Sequence, residues 1–200
     1  MFSHVLNSKI SFMETNDLQQ GTSNQQNTFL RSTMTMGLIT GLALIIYTLL
    51  LYATNNLLRQ NFLLGILNYI ILIAGIIIGT RSYRDQALQG FITYGKALGY
   101  GVVLCVFTGI VFGIFTYLLY EVIDPGLMEQ NMKIIQEEML NQGVSPERVE
   151  TMTEMQRQFR TPFMMLIGSI FSYSLLGLIF SLVTSAFLRK DPPIFDKPNE

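Results

Sequence analysis

Four stretches of the chain contain no Asp, Glu, Lys, Arg or His over lengths that match the width of a bilayer. A hydrocarbon core of about 30 Å needs roughly 20 apolar residues of helix to cross it. Lipid offers the backbone no hydrogen-bond partner, so such stretches must be helices that satisfy themselves. We therefore predict an all-α membrane protein built on a bundle of four transmembrane helices. The predicted spans are about 32–54, 61–80, 97–120 and 163–188.

The 200 residues leave room for one membrane domain, which we place at residues 31–190, and two tails. The N-terminal segment is rich in Asn, Gln, Ser and Thr, and this composition predicts a disordered polar tail over residues 1–30. Residues 191–200 form the predicted C-terminal tail. Because Met13 opens a plain polar sequence, we expect residues 1–12 to be a gene-start extension without a structural role.

Residues that commonly build catalytic, metal or cofactor sites are scarce. Cys105 and His4 are the single cysteine and histidine, which excludes a disulfide within the chain and sites built from several histidines. The sequence contains no hydrolase, zinc-protease or nucleotide-binding motif, and the spans hold no ionisable residue that would mark a transport path. We therefore predict no enzyme activity, cofactor or metal and, without a large basic patch, no nucleic-acid partner.

Positive charges indicate the orientation. With four spans, the tails and the loop between spans two and three share one side, which holds eight Lys and Arg residues against five on the other side. Arg31, Arg81, Arg84 and the pair Arg189-Lys190 directly flank spans on the first side. Because positive residues collect on the cytoplasmic side of membrane proteins, we predict that both termini lie inside.

Residues 121–161 form the one substantial segment outside the predicted spans. Three dipeptides in it pair an N-cap residue with a proline at the first helical position, where the missing N–H costs nothing. They predict one helix from Pro125 to about Asn141, ended by Gly143, a second from Pro146 to about Arg160, and the start of span four. The dipeptides are Asp124-Pro125, Ser145-Pro146 and Thr161-Pro162.

Both helices predicted in this segment are amphipathic, and the segment carries eight carboxylates against four Lys and Arg residues. One interpretation is an extramembrane helical hairpin that packs its apolar stripes together or against the span ends. A second is a helix pair on the membrane surface, which its acidity disfavours. A third is a docking surface for a partner, which flexible methionine suits. The stripes are Met128, Met132, Ile135, Met139 and Val149, Met152, Met155, Phe159.

The loop between spans two and three offers a smaller candidate site. Arg84 and Asp85 end span two, and Lys96 lies in the first turns of span three, where it can reach the headgroups. Arg84 and Asp85 are expected to pair with Lys96 or with lipid phosphate. A basic patch for anionic lipid or a phosphorylated ligand is the alternative, although three positive residues are few for that role.

Several motifs together resemble the bacterial domain-of-unknown-function family 4199 (DUF4199), over roughly residues 30–190. The members of that family are small four-span membrane proteins of unknown activity, so the resemblance implies a bacterial inner-membrane location and the same architecture. It brings no catalytic or binding residues. The motifs are Tyr83-Arg84-Asp85, Gly90-Phe-Ile-Thr-Tyr-Gly-Lys-Ala-Leu-Gly99, Tyr120-Glu-Val-Ile-Asp-Pro125 and Gln-Gly-Val-Ser-Pro-Glu at 142–147.

Small residues at four-residue spacing occur in every span and predict close packing of the helices, with association of copies as the alternative. Hydrogen bonds between helices or to the backbone explain Asn68 and the hydroxyl residues of span four, and a polar permeation path is the alternative. The small residues are Gly37–Gly41, Gly75–Gly79, Gly95–Gly99, Gly109–Gly113 and Gly177–Ser181–Ser185.

These features favour a structural or accessory interaction protein whose acidic, Met-rich hairpin packs on the bundle or docks a partner. A small transporter or channel subunit that acts as an oligomer is the alternative. Predicted partners are membrane lipid and a protein or a second copy of the chain. The candidate interaction residues are Met128, Met132, Met139, Met152, Met155, Phe159, Arg84 and Lys96.

Overall fold

The structure, a computed structural model, describes the backbone of residues 2–58, 62–159 and 161–191, and the side chains of residues 24–58, 62–156, 161 and 163–191. In these ranges the chain forms six α-helices and no strand. A π-helical turn, Leu119–Ile123, continues the third helix. The helices are α1 (Phe2–Ala53), α2 (Phe62–Ala87), α3 (Tyr94–Leu118), α4 (Pro125–Asn141), α5 (Pro146–Phe159) and α6 (Pro162–Leu188).

Four helices of the described ranges are long and apolar enough to cross a membrane. Their outward faces carry large apolar side chains such as Phe62 and Phe187, which are 80% and 85% exposed. A water-soluble protein does not present apolar surface on this scale, whereas lipid solvates it. The chain is therefore a multi-pass, all-helical membrane protein, as predicted. The spans are Asn24–Ala53, Phe62–Ala87, Tyr94–Ile123 and Phe163–Leu188.

Helix α3 is the centre of the bundle. It packs against α1, α2 and α6, and α2 also contacts α1 and α6. The core forms around α3 and draws residues from all four spans, including Leu44 of α1, Leu72 of α2, Tyr100 and Cys105 of α3 and Tyr173 of α6. Cys105 is fully buried there, in keeping with the small apolar role expected of it.

Glycines allow the backbones to approach each other in this core. A Cβ atom placed on Gly37 of α1 would lie 2.9 Å from the carbonyl oxygen of Leu104, and one on Gly109 of α3 would lie 3.0 Å from the Cα of Ile170. The packing predicted from small residues is therefore intramolecular at these positions. Gly95 and Gly99 differ, because a Cβ there would have no neighbour within 4 Å among the described residues.

The N-terminal boundary of the bundle differs from the prediction. Helix α1 begins at Phe2, and Phe29 packs edge-on against Tyr83 and Tyr100, with ring centroids 5.6 and 5.8 Å apart. Ser32 and Tyr100 share a hydrogen bond of 2.8 Å. The disordered tail predicted for residues 1–30 is therefore wrong for residues 24–30, because aromatic packing anchors this polar segment. The backbone of residues 2–23 also belongs to α1, and the side chains there lie outside the described part.

A backbone bridge ties the loop between α2 and α3 to the end of α6. Ile92 and Lys190 each donate an N–H to the other's carbonyl at 2.9 Å. The loop turns through Gly90, whose φ of +88° suits a residue without a Cβ. We call this the basic end of the bundle, and the opposite end, which carries α4 and α5, the acidic end. The predicted tail over residues 192–200 lies outside the described residues. The Lys and Arg residues of the basic end are Arg31, Arg81, Arg84, Lys96, Arg189 and Lys190.

Candidate functional site

The acidic end is organised around Asp124. Its Oδ1 accepts the backbone N–H of Leu127 at 3.2 Å, which is the predicted N-cap of α4, with Pro125 in the first turn. Its Oδ2 accepts the hydroxyl of Tyr52 at 3.1 Å, so the same carboxylate also joins α4 to the end of α1. The contact with Tyr52 was not predicted, because no sequence spacing relates two residues on different helices.

The helix boundaries around α5 follow the turn residues of the sequence. Gly143, at φ +83°, follows the end of α4, and the N–H of Val144 bonds back to the carbonyl of Met139 at 3.0 Å, as in a glycine-ended helix. The predicted cap at the start of α6 also forms, since the Thr161 hydroxyl accepts the N–H of Met164 at 3.3 Å. Both predicted helices between spans three and four are therefore present. Arg160, the predicted end of the second, lies outside the described residues.

A polar contact joins α4 to α5. Gln136 Nε2 donates to Thr153 Oγ1 at 3.1 Å, and Thr153 in turn donates to the carbonyl of Val149 at 2.7 Å. Met132 of α4 and Val149 of α5 are buried, at 6% and 4% exposure. The contact therefore combines one residue of each predicted stripe with a hydrogen-bonded pair that the apolar pattern did not indicate.

The remaining methionines divide into two groups. Met128 and Met139 of α4 are half-buried, whereas Met152 and Met155 of α5 are 49% and 55% exposed. The two predicted stripes do not pack together along their length, because α5 contacts α4 through the Val149–Thr153 face and leaves Met152 and Met155 outside it. The side chain of Phe159, the last residue of the predicted α5 stripe, lies outside the described residues.

Carboxylates are frequent at this end of the bundle. A cleft of about 390 Å³ between α4 and α5 is lined by Glu150 and Glu154 together with Gln136 and Leu140. Glu129 pairs with Lys133 at 3.0 Å on the surface of α4. The carboxylates described at this end are Glu121, Asp124, Glu129, Glu137, Glu138, Glu147, Glu150 and Glu154, against the positive Lys133 and Arg148.

The two candidate residues of the basic end do not share a site. Arg84 Nε donates to Asp85 Oδ1 at 2.7 Å, and a second guanidinium nitrogen reaches the Leu188 carbonyl at 3.4 Å. Lys96 is exposed and lines a cleft of about 550 Å³ with Phe29 and Tyr83, a cleft that Arg84 does not line. Asp85 therefore pairs with its neighbour Arg84, and not with Lys96 as one of the predictions expects.

A cavity of about 390 Å³ enters the bundle from the acidic end, between α1, α2 and α3. We call it the tyrosine cavity; its walls include Tyr47, Asn68, Tyr69, Phe112 and Tyr120. Asn68 shares a hydrogen bond with Tyr173 of α6 near its floor. This cavity was not predicted, because its polar residues are distributed over three helices whose mutual rotation the sequence does not specify.

The hydroxyl residues of span four do not collect around Asn68. Ser169 donates to the Gly109 and Leu166 carbonyls at 3.1 and 2.8 Å, and Ser174 to that of Ile170 at 2.6 Å. Hydrogen bonds to backbone carbonyls thus account for Ser169 and Ser174, as one of the two interpretations expects, whereas the buried Ser181 hydroxyl has no partner among the described residues. Among the described residues, no group of three His, Cys, Asp or Glu side chains could hold a metal ion.

Comparison with known proteins gives one match. A family model described as a protein of unknown function, DUF4199, matches residues 35–190, from within α1 to the Ile92–Lys190 bridge. Neither a curated protein nor a solved structure matches the chain.

Proposed function

The chain belongs to the DUF4199 family of proteins of unknown function, and we propose that it is an accessory membrane protein that docks a protein partner on α5. The observation that carries the proposal is the exposure of Met152 and Met155 beside a helix contact that leaves them uncovered. Methionine is flexible and polarisable, so it adapts to apolar surfaces of different shape.

The charge of the acidic end as a whole selects the partner. Glu150 and Glu154 lie on the cleft side of α5 and not beside the methionines, so a partner that contacts Met152 and Met155 through an apolar surface and also carries Lys or Arg complements this end. Opposite charges at the rim of such an interface mainly speed association and exclude partners of the wrong sign. A second copy of this chain carries the same acidic residues, which disfavours pairing of two α5 surfaces.

The proposal includes an orientation. Among the residues whose side chains are described, the basic end carries six positive residues against Asp85 and Asp191, and positive residues collect on the cytoplasmic side. In this proposal, α4 and α5 face the extracytoplasmic side of a bacterial inner membrane, where they meet extracytoplasmic proteins. The role requires no catalytic group, cofactor or nucleic acid, and lipid surrounds the spans.

Photocrosslinking from α5 tests the docking surface. A photoreactive residue in place of Met155 in the full chain, in native membranes, is expected to give a discrete protein adduct. The photoreactive residue in place of Glu154, about a quarter turn away on this helix, serves as the control. It is expected to give at least fivefold less protein adduct. Adducts with lipid alone from Met155, or equal yields at both positions, would contradict the proposal.

A further inference from the structure

The walls of the tyrosine cavity offer hydrogen-bond acceptors whose donors are already used. The Tyr47 hydroxyl donates to the Leu64 carbonyl at 2.7 Å, Thr48 to Leu44 at 2.9 Å and Thr116 to Phe112 at 2.8 Å. A hydroxyl has one proton and two lone pairs. Each of these three hydroxyls therefore donates its proton to a backbone carbonyl and can only accept a hydrogen bond from a ligand.

Aromatic rings form a large part of the same walls. Tyr47, Tyr69, Phe112 and Tyr120 come from all three helices that enclose the space. The faces of aromatic rings attract cations, most strongly where water is excluded. The side chains that line the cavity in the described residues include no charged group.

The mouth of the cavity favours positive charge. Glu121 follows Tyr120 directly, and Asp124 lines the neighbouring cleft, which shares Leu57 with the tyrosine cavity. These two carboxylates give the described residues near the opening a negative charge.

From these observations we infer that the tyrosine cavity binds a primary ammonium group, from either the ethanolamine headgroup of a phospholipid or a small soluble amine. The N–H groups of the ammonium reach the acceptor-only hydroxyls, and its charge lies among the rings. This site uses different residues from the docking surface on α5, so either proposal can fail without the other.

Gly65 provides a way to fill the cavity without disturbing the bundle. It lines the cavity, and a Cβ placed on it meets no atom within 4 Å. Gly168 of α6 has the same open surroundings but does not line the cavity. Gly65→Leu therefore blocks the space, and Gly168→Leu is the matched control for a glycine-to-leucine change at an exposed helical position.

The experiment uses the full chain in nanodiscs of phosphatidylglycerol. Titration calorimetry with ethanolamine tests binding of a soluble amine. Native mass spectrometry after addition of phosphatidylethanolamine tests retention of the lipid. We expect binding of ethanolamine, retention of the lipid, or both. Gly65→Leu is expected to reduce the affinity or the retained lipid tenfold or more, and Gly168→Leu to change it less than twofold. Choline, which has no N–H to donate, is expected to bind at least fivefold more weakly than ethanolamine.

Three results would overturn the inference. The first is an absence of binding in both arms. The second is equal retention of lipid by Gly65→Leu and by the unchanged chain, when thermal melting shows that both are folded. The third is equal binding of ethanolamine and the neutral glycerol, which would show that the cavity is filled by shape and not by charge.

Discussion

Single glycines determine how closely the helices of this bundle can pack. Water does not drive the association of helices within lipid, so tight contact and interhelical hydrogen bonds must hold them together. Gly109 meets the backbone of α6 at Ile170, and Ser169 of α6 donates a hydrogen bond to the Gly109 carbonyl at 3.1 Å. Gly109 thus supplies both a tight helix contact and an interhelical hydrogen bond, and its position has no room for a side chain.

Replacement of Gly109 by leucine is expected to destabilise the bundle by about 1–3 kcal/mol, the usual cost of forcing extra atoms into a packed core. Gly99→Leu, on the same helix but with no atom within 4 Å of the added Cβ, is the control and is expected to be near neutral. The free energy of unfolding in a denaturing-detergent titration measures both. Equal stability of the two variants would show that the α3–α6 contact is not tight at Gly109.

At the scale of the helices, turn residues define where each segment of the acidic end starts and stops. Asp124, Gly143 and Thr161 act as the sequence predicts, since caps and left-handed glycines depend on neighbours within a few residues. The rotation of α5 was harder to predict. Val149, Met152 and Met155 share an apolar pattern, but a hydrogen bond from Gln136 selects Thr153 for the contact with α4, and periodicity carries no information about that partner.

Gly143→Ala is expected to loosen the turn between α4 and α5, because alanine at φ +83° costs roughly 1 kcal/mol relative to glycine. Amide hydrogen exchange should then accelerate severalfold at Val144, whose N–H bonds to Met139. Gly95→Ala is the control, since this residue is helical and its Cβ would enter open space. Unchanged exchange at Val144 would mean that the turn does not depend on the glycine.

For the whole molecule, the number and approximate positions of the spans could be read from the sequence, although span one begins earlier and span two ends later than predicted. The arrangement of the helices could not be read from it. Runs without charge identify four spans because the membrane imposes one rule on every segment. The central place of α3 and the opening of the tyrosine cavity depend on contacts between distant residues. Around Gly75, α2 lies tightly against Thr40 of α1, while at Gly65 the same helix faces open space. The bundle is thus closed towards its basic end and open towards its acidic end.

Cysteine labelling tests the orientation of this asymmetric bundle. The native Cys105 is fully buried, so it gives little background. A membrane-impermeant maleimide added to intact cells is expected to label Asn141→Cys at the acidic end, and Gln86→Cys at the basic end only after permeabilisation; both positions are exposed. The opposite pattern would place the basic end outside and would require the docking partner to be cytoplasmic.

The bridge between Ile92 and Lys190 closes the chain from α3 to α6 into a ring, and it joins the loop between α2 and α3 to the end of α6. Lys190 also holds its ammonium group 5.6 Å from the centre of the Phe91 ring, which adds a second fastening. A fluorophore or fusion joined just after Asp191 would therefore begin at a rigid anchor. Its distance from a second probe would report displacement of the α2–α3 loop.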